Sequence, residues 1–315
     1  MDRDELVSMH DLTSTAQQYV AHAKADNTLR AYQSDWRQFV AWCEDHSCAS
    51  LPASPETVAV YLAAEADAGR RPSTLTRRIS AISQAHQAAG HPTPTTDAPV
   101  AAVMAGIRRV HGTAPQAKAA ATTADLRRMV ETLPQGLLGI RDRALLLVGF
   151  AGALRRSELV GLDVIDVAIG DQGATITLRR SKTDQEGQGR LVGIPYGSHP
   201  STCPVRALQA WLEAAQITAG PVFRSVNRHG QIQPGRLGDR AVALVVQRAA
   251  SAAGLDATHY AGHSLRAGLA TSAAAAGVEE RVIMAQTGHR SVAMVRRYIR
   301  EGSLWRDNAA GRVGL

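Results

Sequence analysis

Aromatic residues are scarce in this 315-residue chain: Phe, Trp and Tyr together make up 4%. Hydrophobic cores are therefore expected to be built from Ala, Leu, Val and Ile. Cysteine is rarer still. Cys43, Cys48 and Cys203 cannot pair completely, which excludes a full disulfide framework and fits a reducing, cytoplasmic compartment. No uninterrupted apolar run approaches the ~18 residues of a membrane span, so no membrane partner is expected. The first residues, Met1 to Leu12, are acidic and polar, unlike a secretory signal. A Gly-Lys-Ser/Thr phosphate loop is missing, which argues against NTP hydrolysis. His259 and His263 have the spacing of a zinc helix, but the glutamate beside the first and a third ligand are missing, so no metal is expected.

What the chain has in excess is positive charge, and its distribution says more than the net +7. Residues 1–67 carry 4 basic and 11 acidic side chains, whereas residues 68–112 carry 6 basic and one acidic. The remaining 25 basic and 16 acidic residues lie in 113–315. A single cluster of this kind is usually a solvated face. Separate basic regions along one chain suit a surface that lines a polyanion such as nucleic acid.

The first third reads as helices. Leu29, Tyr32, Trp36, Phe39 and Val40 form one apolar stripe after an Asn27 cap. Ser54-Pro55 starts a second helix, Leu75, Ile79, Ile82 and His86 mark a third, and Val100 to Val110 a fourth. Ser73, Thr74, Arg77 and Arg78 stand near the start of the third helix, which suits either phosphate contact or plain capping; Arg108 and Arg109 add charge on the fourth. These six are the candidate DNA-contacting residues.

Residues 111–121 lack apolar periodicity and read as a linker, placing a domain at 1–111, the linker at 112–121 and a second domain at 122–315. Beyond it, Ile140 to Ala151 is apolar and helical. Strands are expected at 163–168, 174–179 and 190–194, with Lys182 at or near a hairpin tip between the last two. From Val205 onward the pattern is mostly helical. The fold class is thus mainly α with a small antiparallel β-sheet: an all-α N-terminal domain and a mixed α/β second one.

The chemistry concentrates in a few residues. Gly152-Ala-Leu-Arg-Arg-Ser-Glu158, Lys182, His263-x-x-Arg266, His289 and Tyr298 supply cations and a phenol. Arginine forks neutralise non-bridging phosphate oxygens and stay protonated. A phenol titrates near ~10, so it needs nearby positive charge or a histidine base before it attacks phosphorus. A hairpin lysine can protonate the leaving oxygen. No acidic pair accompanies them to hold a divalent metal. The set points to metal-free phosphoryl transfer through a phosphotyrosine, with no cofactor because one ester is exchanged for another.

These residues, in this order and spacing, resemble the tyrosine recombinase (phage integrase) family, with Cre- and Xer-like features. The resemblance implies that Arg155 is the first catalytic arginine, Arg156 being a rival by adjacency, and that Glu158 supports it. It implies Lys182 as general acid, His263, Arg266 and His289 as further catalytic residues, and Tyr298 as nucleophile. Cre-like members have tryptophan where this chain has His289, so the set is closer to the integrase and Xer pattern. A helical DNA-clamping domain is implied for the N-terminal third. The implied activity is site-specific recombination through a 3′-phosphotyrosine and a Holliday junction. The implied partners are double-stranded DNA with an inverted-repeat site and a homotetramer on two such sites, acting in the cytoplasm on nucleoid DNA. A type IB topoisomerase-like nicking enzyme and a cleavage-deficient DNA-binding protein are the alternatives. Leu304, Trp305 and Val313 are expected to form an apolar tail that docks on a neighbouring protomer or packs in cis.

Overall fold

The computed structural model describes residues 25–114, 118–179, 189–289, 291–302 and 313. The described chain is mainly α-helical with small antiparallel sheets. It divides into two compact units between Gln116 and Ala117. Lys182, Leu304 and Trp305 lie outside the described residues.

The first unit contains α1 (Asp26–Asp45), α2 (Pro55–Asp67), α3 (Pro72–Ala88) and α4 (Ala98–His111). Ser54 Oγ accepts the Thr57 amide at 3.1 Å and Pro55 opens α2, so side-chain capping fixes that start. Asn27 does not cap α1. The helix already begins at Asp26, and Asn27 Oδ1 accepts Arg30 Nη2 at 2.8 Å within the first turn. The core joins Phe39, Val58, Tyr61, Leu62, Leu75, Ile82, Val100 and Met104. The core is mostly aliphatic, as expected, but the chain's few aromatics concentrate here. Trp36, Phe39, Trp42 and Tyr61 gather in this unit, with Phe39 and Tyr61 edge-on at 5.0 Å between centroids. A small domain gains the most apolar area per residue from large rings. Val110, the last of its stripe, is 79% exposed.

The second unit opens with α5 (Thr123–Glu131), α6 (Leu137–Ala151) and α7 (Arg156–Gly161). The strands β1 (Val167–Gly170), β2 (Gly173–Leu178) and β3 (Arg190–Pro195) form an antiparallel meander in which Ile176 faces Val167 and Val192. The first strand starts later than expected because Val164–Asp166 closes a 3₁₀ turn. Next come α8 (Pro204–Ala214), β4 (Arg224–Val226), β5 (Ile232–Arg236), α9 (Asp239–Ala252), α10 (His263–Ala275), α11 (Glu280–Thr287) and α12 (Val292–Gly302). From Val205 onward the described chain is mostly helical, as expected, with the short β4–β5 hairpin as the one addition.

Helix α6 is apolar on nearly every side. Ala144 to Phe150 are buried without a break, and the helix packs against α8 and α10 at the centre of the unit. The segment expected as a linker is fastened at its end: the Ala119 amide donates to the His259 carbonyl at 2.7 Å and Ala121 to that of Ser264 at 2.9 Å. Gly268 on α10 permits this approach, since a Cβ there would stand 1.9 Å from the Ala121 carbonyl oxygen. A satellite cluster of Ala267, Ala270, Ala274, Ile283, Val295 and Tyr298 binds α10, α11 and α12 together. The small alanine face lets α12 sit close enough for Tyr298 to reach the start of α10. Among the described residues no helix is long and apolar enough to cross a membrane.

Candidate active site

The first cation of the site is set by a turn and a helix start. After α6, Ala153 takes a left-handed conformation at φ 47°, and Arg155 follows as the extended N-cap of α7. Glu158, three residues on, accepts the Arg155 amide through Oε2 at 2.8 Å and Arg155 Nη1 through Oε1 at 2.5 Å. One carboxylate thus caps the helix and fixes the guanidinium. Arg156, the adjacent rival, points elsewhere: it is 44% exposed, 3.9 Å from Asp239.

Helix α10 carries the next pair. His263 is its first residue, and Arg266 follows almost one turn later on the same side. Arg266 is 1% exposed; its Nη1 donates to the Ala153 carbonyl at 2.7 Å, tying the two arginine-bearing segments together. Its Nη2 is buried with no hydrogen-bond partner among the described residues. Burial, with repulsion from Arg155 and Arg190, lowers its pKa to about 10, so it remains cationic at neutral pH. Ser264 is fully buried, and its Oγ accepts the Ala261 amide at 3.0 Å, a structural role.

The third element is the turn after α11. Gly288, at φ +65°, ends the helix and hands the chain to His289. Thr287 Oγ1 donates to the Ile283 carbonyl at 2.7 Å and therefore accepts from His289 Nδ1, 2.8 Å away. That arrangement puts the imidazole proton on Nδ1 and leaves Nε2 as a lone pair. Burial first, then Arg266, Arg155, His263 and Arg190, push the His289 pKa down to about 4. His289 is thus neutral at pH 7 and has a lone pair that can accept a proton.

Tyr298 on α12 completes the group. It is 9% exposed, its hydroxyl lies 2.9 Å from His263 Nε2, and its ring is 5.8 Å from that of His289. Of the residues singled out from the sequence, Arg155, Glu158, His263, Arg266, His289 and Tyr298 are thus brought together. Sequence reasoning missed Arg190, which acts electrostatically on Arg266 and His289. Its signal was the strand's alternation: Arg190 shares the inward face of β3 with buried Val192 and Ile194.

The DNA-contact candidates fare unevenly. Ser73, Arg108 and Arg109 are exposed. Thr74 is half-buried, and Arg77 pairs with Asp35 at 3.2 Å. A cavity of about 290 Å³ in the first unit is lined by Arg71, Ser73, Thr76, Arg108, His111 and Thr113, a basic surface at the start of α3 and the end of α4. Arg78 is a correction. It is 3% exposed, paired with Glu65 at 2.8 Å and bonded to Tyr61 and Gln38, so it holds the core and does not face solvent.

Comparison with known proteins gives the site its context. The phage integrase family model matches residues 121–303, and the phage integrase N-terminal SAM-like domain matches residues 17–91. The chain belongs to the phage integrase family. It is 43% identical over 306 residues to the Integrase/recombinase xerD homolog of Selenomonas ruminantium, covering 96% of this chain and 89% of the relative. It is 26% identical over 297 residues to Recombinase cre of Escherichia phage P1, covering 88% and 85% of the two chains. A lambda integrase dimer bound to a COC′ core site shares the fold, with a TM-score of 0.61 at 18% identity over 96% of this chain and 79% of that one. This family member is a tyrosine recombinase, an enzyme of site-specific DNA recombination.

Proposed function

We propose that this tyrosine recombinase cuts and rejoins DNA through Tyr298. The phenol oxygen attacks the scissile phosphorus and the P–O5′ bond breaks, leaving a 3′-phosphotyrosine. The phenol proton passes to a histidine. His263 is within hydrogen-bond distance, and the His289 ring, held through Nδ1, stands 5.8 Å from that of Tyr298. Arg155 and Arg266 donate to the non-bridging oxygens, each donor contributing roughly 3–4 kcal/mol to the transition state. Lys182 protonates O5′. The 5′-hydroxyl of a second duplex then attacks the phosphotyrosine, which passes the strands through a Holliday junction without a cofactor.

The observation that carries this reading is the 2.9 Å contact between Tyr298 and His263, together with the buried Nη2 of Arg266, which has no hydrogen-bond partner among the described residues. A guanidinium N–H withdrawn from water without an acceptor costs free energy that an incoming phosphate oxygen restores. The helical unit serves as the DNA clamp, with Ser73 and Arg108 lining its basic cavity and the candidates Thr74, Arg77 and Arg109 on the same two helices. Four protomers assemble on two inverted-repeat sites, and the reaction runs in the cytoplasm on nucleoid DNA.

A nicked suicide substrate tests the proposal. Wild-type protein should give an SDS-resistant adduct and a four-protomer complex. Tyr298→Phe should bind DNA and form no adduct. An undiminished adduct from Tyr298→Phe overturns the assignment, and cleavage without any synaptic complex would favour a topoisomerase-like enzyme.

A further inference from the structure

Arg190 is the group in this site to which the reaction so far gives no work. It opens β3, yet its side chain crosses to the turn that presents His289. Nη1 donates to the Gln286 carbonyl at 3.2 Å, and the guanidinium lies against Gly288, where a Cβ would stand 2.8 Å from Nε. The Gln286 side chain fastens the same turn back onto β3 through the Gly193 carbonyl at 3.1 Å. Nη2 is different. It is buried and has no hydrogen-bond partner among the described residues, which is also the condition of Arg266 Nη2. Arg155 repels Arg190 and Glu158 attracts it, so both act on the same guanidinium. Three guanidinium groups around Glu158 leave the site short of negative charge.

We propose that Arg190 is a further phosphate-contacting residue, its Nη1 edge holding the His289 turn while Nη2 donates to a non-bridging oxygen of the scissile phosphate. A lysine cannot do both, because the task needs two N–H groups set in one plane. The inference rests on Tyr298 acting as the nucleophile.

The test uses the full chain, a suicide substrate and its counterpart with an uncharged methylphosphonate at the scissile position. On the phosphodiester, Arg190→Ala should cleave about 10²-fold more slowly, the scale of losing one transition-state donor. Single-site binding should change little. On the methylphosphonate there is less charge to neutralise, so the penalty should shrink about tenfold or more, alongside that of Arg266→Ala. Equal losses on both substrates would overturn the phosphate contact and leave a purely positioning role. Arg190→Lys should be intermediate on the phosphodiester; wild-type rates from it would overturn the two-edged fork. Should Arg190→Ala fail to fold, Arg190→Lys and Arg190→Gln provide the same comparison. Wild-type protein that forms no adduct defeats the Tyr298 reading. Wild-type cleavage with an unaffected Arg190→Ala defeats this inference alone.

Discussion

Replacing Glu158 by glutamine isolates what one buried carboxylate contributes. Its side chain is 2% exposed, and both oxygens accept, one from the Arg155 amide and one from Arg155 Nη1. An amide accepts through only one of these positions, and its NH₂ group would face a donor at the other. Glu158 also supports Arg190 and Arg266 electrostatically, so Glu158→Gln leaves a cluster of guanidinium groups uncompensated. Breaking a buried pair from one side costs about 3–5 kcal/mol. Arg155 keeps 16% exposure, which favours the lower end. For a unit of this size about 3 kcal/mol lowers Tm by roughly 6–12 °C. An anion that binds the native site should restore part of that loss. Thermal unfolding followed by circular dichroism, in inorganic phosphate and in chloride of equal ionic strength, measures both effects. A Tm within about 2 °C of wild type in chloride, or recovery that does not favour phosphate, would refute the reasoning.

Gly268→Ala forces a methyl group to 1.9 Å from the Ala121 carbonyl oxygen, a backbone atom in a segment tied down on α10. Overpacking of this kind outweighs the ~1 kcal/mol gained in helix propensity, so denaturant unfolding should show a net loss of about 2 kcal/mol or more. An unchanged or stabilised variant would contradict the close approach. His289 in the free protein should titrate near 4, against its ordinary value of 6.5. Because the unfolded chain takes up that proton first, stability should be flat above 6.5 and fall as pH drops from 6.5 to 4. Proton NMR of the imidazole checks this, and a midpoint near 6.5 would mean that His289 is neither buried nor surrounded by cations.

The site residues were legible where chemistry and local geometry share one short segment. The family resemblance marked His263, Arg266 and His289, and the structure sets the first two one turn apart on α10 and the third just past the glycine that ends α11. The choice between Arg155 and Arg156 turns on an N-cap, because Glu158 reaches back only to the residue that precedes the helix. Arg78 was misread because it sits near a helix start, but it lies three residues after Leu75 and four before Ile82, on the buried stripe. Arg190 was hidden by its neighbours: an arginine opening an apolar strand reads as an edge residue until the partner of its guanidinium is known. The β4–β5 hairpin was missed because its strands are short and one holds Pro234, which weakens any strand signal. Long-range partners were not legible at all, since the Arg266 contact to Ala153 joins segments far apart in the chain.

The account stands most directly on the atom that becomes covalently joined to DNA. Wild-type protein trapped on a suicide substrate, digested with trypsin and analysed by mass spectrometry, identifies that atom's residue. Cleavage after Arg297 and Arg300 releases Tyr298-Ile299-Arg300 as one short peptide. The account predicts that this tripeptide carries the DNA, joined through a 3′-phosphate on the tyrosine. DNA attached to a serine, or to a tyrosine elsewhere in the chain, would contradict it.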